Sequence, residues 1–147
     1  MTNGLGDESL KEITIWDINS VYELLQIAHR VLEAEIKAQE ENYEASIELL
    51  QEAIAIEDQL NYNEPPDWFF SVRHHLGQVQ LAAKKYEDAI QTYQEDLDRL
   101  PKNGWALHGL KAAYEGLNKV AKVQEVEEKL ALAWATADVE LKGSKVE

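Results

Sequence analysis

Residues 73–101, RHHLGQVQLAAKKYEDAIQTYQEDLDRLP, decide the fold. Tyr86, Ala89, Ile90, Tyr93, Leu97 and Leu100 fall on one stripe at helical intervals, and Pro101 stops the run. A second helical run precedes Lys84-Lys85, so the stretch reads as two helices joined by a short turn. The unit then returns at a spacing of 34 residues: Leu76 recurs as Leu110, His74 as His108, and the aromatic Tyr86 as the apolar Val120. A helix-turn-helix of that period cannot bury its apolar face without a neighbour, so copies stack into a solenoid. Stacked hairpins leave one curved face open, and such faces generally bind polypeptides.

On the N-terminal side, Tyr43-Glu-Ala-Ser-Ile47 matches Tyr86-Glu-Asp-Ala-Ile90 at an offset of 43. The excess over 34 is an insertion, and it falls at Asn61-Tyr-Asn-Glu-Pro-Pro-Asp67. Two prolines there remove backbone donors and disfavour a helical residue before each, so this segment is loop. Ser20-Val-Tyr-Glu23 has the form of a capping box and starts the first helix, which is expected to run to about Gln39. Glu41-Asn42 makes the turn, and a second helix is expected from Tyr43 to Leu60. Asp67 is expected to cap a third helix opening at Trp68. The fifth helix holds Leu107, Leu110, Tyr114 and Leu117, and the sixth holds Val120, Val123, Val126, Leu130 and Trp134.

The expected architecture is all-α: a right-handed α-solenoid of three helical hairpins, six helices in all. Residues 1–19 form a partly disordered lead-in with a short extra segment between Ser9 and Ile18. Residues 20–141 form a single domain with repeats at about 20–60, 68–101 and 103–135, and residues 142–147 form a disordered tail.

Over Ser20 to Trp134 the chain resembles the tetratricopeptide repeat family. In the second unit Leu76-Gly77, Tyr86, Ala89, Tyr93 and Pro101 occupy the large, small and terminating slots of that repeat. The third unit fits at Leu110, Tyr114 and Leu130, while Lys111 and Glu127 depart from it as a solvent-facing cap would. Tyr62-Asn-Glu-Pro-Pro-Asp-Trp68, Arg73-His-His-Leu-Gly77 and Asn103-Gly-Trp-Ala-Leu107 are also similar to the C-terminal repeats of larger bacterial tetratricopeptide proteins. The resemblance implies a protein- or peptide-binding scaffold. The first helix of each pair then lines a concave groove, placing Glu35, His74, Gln78, Trp105 and His108 towards a ligand. Trp105 and the histidines are suited to stacking and hydrogen bonding. Glu35 would oppose a carboxylate, which argues against capture of a partner's C-terminal carboxylate.

Arg73 and Asp96 stand where the repeat carries apolar or small residues. Buried charge is costly unless paired, so Arg73 is expected to meet Asp96 or Glu95. Trp68 is read either as a core staple or as a loop rim gripping a ligand.

Composition narrows the alternatives. Apolar residues make up 45% and charged residues 29%, and 28 acidic side chains against 14 basic ones give a net charge of −14. Such a field repels phosphate backbones, and no basic patch offsets it, so no nucleic-acid partner is expected. The acidic surface is read first as a solvated face that favours solubility, with attraction of a basic partner as the alternative. Without cysteine there is no disulfide, thiol nucleophile or cysteine-zinc site. The four histidines lack metal-ligand spacing, and no Gly-rich phosphate loop or nucleophile motif occurs. No cofactor, metal or catalytic residue is expected, and the protein is read as a non-enzyme. No apolar run approaches the roughly 20 residues of a membrane span, and the N-terminus lacks the features of a secretory signal, so a cytoplasmic location is expected. The alternatives to groove binding are self-association, as a monomer or weak homo-oligomer in equilibrium, and a histidine-based metal or small-molecule site joining His74, His108 and Glu35.

Overall fold

Ser20 opens the first helix through the reciprocal bonds its sequence demands: its hydroxyl accepts from the Glu23 amide at 3.2 Å, and Glu23 accepts from the Ser20 amide at 3.2 Å. In the computed structural model, residues 6–145 are described. The main elements are α1 (Val21–Gln39), α2 (Tyr43–Glu57), α3 (Val72–Ala82), α4 (Tyr86–Arg99), α5 (Gly104–Gly116) and α6 (Val120–Ala133). Ahead of them come a 3-10 turn at Glu8–Lys11 and a minimal antiparallel hairpin of β1 (Thr14–Ile15) and β2 (Asn19–Ser20). Among the described residues the fold is therefore all-α, six helices packed as consecutive hairpins, with one small strand pair. Residues 1–5 and 146–147, parts of the expected lead-in and tail, lie outside the described residues.

The three hairpin turns are closed in the same way. Glu41, Lys84 and Asn118 adopt left-handed backbone, at φ 59°, 59° and 55°. The amides of the residues that follow reach back to the carbonyls of Lys37, Gln80 and Tyr114 at 2.9, 2.8 and 3.0 Å. This is the Schellman closure, in which a left-handed residue just past the helix lets two amides satisfy the last carbonyls. Lys84 and Asn118 stand one repeat period apart, so the local geometry follows the sequence repeat.

By its internal contacts the chain divides into two compact units, Met1–Val72 and Arg73–Glu147. In the first, Ile27, Val31 and Ala34 of α1 are buried with Leu50 and Ala53 of α2. The buried Ser46 hydroxyl donates to the Ala34 carbonyl at 2.8 Å, holding the helices close. Arg30 of α1 bonds Glu52 of α2 at 2.9 Å on the outside. The long loop after α2 is pinned by Asn19, a buried residue of β2. Its amide donates to Asn61 O (3.0 Å) and Asp67 Oδ2 (2.8 Å), and its oxygen accepts from Asn61 N at 2.7 Å.

That loop corrects one boundary. The third helix does not open at Trp68, and Asp67 does not cap it. Asp67 is instead engaged by Asn19 and by Asn63, the latter at 3.0 Å. Helix α3 begins four residues later, at Val72, whose amide donates to the Glu57 carboxylate at 3.2 and 3.3 Å. A carboxylate there meets both an orphan amide and the positive end of the helix. Likewise α2 ends at Glu57 rather than Leu60.

In the second unit, Ala89, Tyr93, Ala106, Leu107, Leu110, Ala113, Tyr114 and Val126 form a core shared by α4, α5 and α6. The Tyr93 ring is its keystone. A Cβ built on Gly77 of α3 would lie 2.3 Å from that ring, and one built on Gly109 of α5 would lie 2.2 Å from it. Only glycine lets both helices approach the same aromatic this closely. Gly116 admits Tyr86 and Gly104 admits Trp134 by the same device. Among the described residues no helix is long and apolar enough to cross a membrane.

Candidate functional site

Helices α3 and α5 carry most of the residues expected to line a groove, and apart from Val72 both lie in the second unit. Asn103 caps α5, its oxygen accepting from the Trp105 amide at 3.1 Å. With its oxygen so committed, the Asn103 amide nitrogen faces back towards α3 and α4. It lies 2.9 Å from Asp96 Oδ2 and 2.8 Å from His74 Nε2, and the last two atoms are 3.1 Å apart. His74 and Asp96 are almost wholly buried, at 2% and 1% exposure. The His74 side chain, expected to line the groove, is thus enclosed with Asp96 and Asn103 beside it. Asp96 is drawn inside by partners, not tolerated without them. Arg73, also buried, places its Nε 3.6 Å from Glu95 Oε2, one of the two carboxylates anticipated for it. A further buried bond, from Thr92 Oγ1 to Gln80 Oε1 at 2.8 Å, ties α4 to α3.

The remaining positions gather around the chain's own C-terminal segment. Beyond α6 the backbone leaves the helix, and Trp134 Nε1 donates to Val139 O at 2.7 Å. The Trp134 ring packs edge-on against half-buried Trp105, centroids 6.0 Å apart at 80°. Residues 137–141 then pass His108 and Lys111 of α5 and enclose with them, Leu130 and Trp134 a cleft of about 630 Å³. Ser144, 1% exposed, ends the crossing at α3 and α4. Its Oγ accepts from the Tyr93 hydroxyl at 2.6 Å and lies 3.0 Å from Gln78 Oε1 and 3.4 Å from the His74 carbonyl, both acceptors for its proton. Its amide adds a bond to Gln78 Oε1 at 3.3 Å. The tail expected to be disordered from residue 142 thus contains a seated, buried side chain.

Electrostatics at this face are mixed. Burial, with the Lys111 ammonium close by, holds the His108 imidazole below its ordinary value of 6.5, against an opposing pull from Glu115. Lys111 in turn bonds Glu127 of α6 at 2.8 Å and faces Glu115 at 3.7 Å. Burial pushes the Tyr93 phenol far up, so it stays protonated and able to donate. Among the described residues no group of three or more His, Asp or Glu side chains could hold a metal ion.

Glu35 and Trp68 belong to the first unit. Glu35 is half-buried on α1. Trp68 is half-buried in the long loop, and its indole N–H is enclosed without a hydrogen-bond partner. Sequence reasoning missed Ser144, Asn103 and Gly109. Asn103 was detectable as a helix cap just ahead of Gly104, and Gly109 as a small residue facing an aromatic slot. Nothing local marks Ser144. Comparison with family models, curated proteins and solved structures finds no match to this chain.

Proposed function

We propose that this chain is a tetratricopeptide-type binding module that holds a non-helical stretch of a partner polypeptide against the α3–α5 face of its second unit. The observation that carries this reading is that the same face already takes polypeptide. A segment of the chain crosses it, held by Trp134, Tyr93 and Gln78 through backbone and side-chain bonds. The common closure of the three hairpin turns, at the sequence-repeat spacing for the last two, supports the family reading. Work of this kind is recognition rather than catalysis, carried out in the cytoplasm, with Gln78, Trp105 and His108 as contacts.

The test is affinity capture with the full chain and a Gln78→Ala/Trp105→Ala/His108→Ala variant of unchanged helical content. A polypeptide held by the former and lost by the latter supports the reading. Equal capture by both removes it.

Self-association is a second reading, favoured by one observation. Leu25, Leu32 and Ile36 line α1 at helical spacing and stand 40%, 57% and 49% exposed. Sedimentation over a wide concentration range tests it, and a constant monomer mass defeats it.

A further inference from the structure

We propose that the C-terminal segment from Val139 to Lys145 is the resident occupant of the α3–α5 face, and that a partner binds by displacing it with a lysine-flanked Gly-Ser sequence of its own. This rests on the binding function proposed above and adds what the ligand looks like and how access is controlled.

Three observations specify the ligand. The seat for Ser144 is closed to all but a short side chain, since the residue is 1% exposed and its hydroxyl is ringed by Tyr93, Gln78 and the His74 carbonyl. It needs a group that both accepts and donates: Tyr93 presents a proton, while Gln78 Oε1 and His74 O present lone pairs. A serine hydroxyl meets both demands. The preceding Gly143 runs beside the Gln78 amide, which an added Cβ would meet at an ordinary contact distance of 3.4 Å, so the position accepts glycine or another small residue. Lysines flank the pair as Lys142 and Lys145, on a chain whose net charge is −14. The two lysines outweigh Glu140 within the segment, so a sequence of this kind is drawn weakly to an acidic protein before any short-range contact forms.

Displacement is the natural mode because the occupant is tethered. A short connection from α6 keeps the segment at an effective concentration on the order of millimolar, so a free peptide competes at a disadvantage set by the fraction of open groove. The segment also has no regular secondary structure, which makes it easier to release than the helices it lies on.

The probe is a fluorescent peptide of residues 139–145, VELKGSK, titrated by anisotropy into the full chain and into the Ser144→Glu chain. Leu141→Asp serves as a second, milder route to release. Hydrogen exchange over residues 139–145 reports whether the segment has left, and far-UV circular dichroism reports whether the helices remain. Expected are slower exchange in the unaltered chain than in either variant, and binding of the probe about tenfold tighter or more by the variants. A probe carrying glutamate in place of its serine is expected to bind neither. Equal affinity for the unaltered chain and a released variant overturns the gate while leaving the face as an open binding site. No binding by a folded, released variant overturns both the gate and the groove.

Discussion

The Tyr93 hydroxyl donates to Ser144 Oγ across 2.6 Å, joining α4 to a residue 51 positions further along the chain. The ring that carries this hydroxyl is gripped between Gly77 and Gly109, so the donor is held in place by packing rather than by the bond itself. Tyr93→Phe keeps the ring and removes the donor. It is expected to lower stability by about 1 kcal/mol, the usual net worth of one buried hydrogen bond, and to speed amide exchange at Ser144. Urea denaturation and hydrogen exchange check the two parts separately.

The same ring makes glycine obligatory at two positions. Gly109→Ala would put a methyl 2.2 Å from Tyr93 Cζ, and Gly77→Ala would put one 2.3 Å from it. Each is expected to cost about 2–3 kcal/mol, through displacement of a ring with no free volume around it. The two costs should not add, because once the ring has moved for one methyl the second meets less resistance. A double-mutant cycle in urea measures this, and strict additivity would show that the ring is not the shared obstacle.

Lys84 sits in left-handed backbone at φ 59° with its side chain exposed. A Cβ there is a steric cost with no contact to offset it. Lys84→Gly is expected to raise stability by roughly 0.5–1 kcal/mol, after allowing for the greater freedom of glycine in the unfolded chain. The thermal midpoint checks it.

His108 supplies a titration with a defined sign. Its pKa is depressed in the folded chain, first by burial and then by Lys111. The fold therefore favours the neutral imidazole. Its contribution to stability is complete above the ordinary value of 6.5 and is lost as pH falls through the lower folded value. Proton NMR of the imidazole should place its midpoint below 6.5, and Lys111→Met should raise that midpoint without restoring it fully, because burial remains. An unchanged midpoint in the variant would remove Lys111 as a cause.

What was legible in the sequence is what nearest neighbours decide. Ser20 and Glu23 are three residues apart and formed their capping box. The turns at Glu41, Lys84 and Asn118 fall where the apolar stripes change face. Trp68 misled because Asp67 followed by aromatics has the form of a helix start, whereas Asn19, 48 residues earlier, claims that aspartate. His74 and His108 share a repeat position yet differ in burial, since Asp96 and Asn103 enclose the first. Ser144 was out of reach altogether. A Gly-Ser pair near Lys145 has no local periodicity, and its place is set by partners 51 and 66 residues away.

Asn19 engages the amide and the carbonyl of Asn61 and the carboxylate of Asp67 at once. The strand pair ahead of α1 is therefore the clasp of a loop more than forty residues downstream. A domain boundary drawn at Ser20, where the helical pattern begins, would sever that clasp and leave residues 61–67 to find a new path, although every helix-forming residue had been kept.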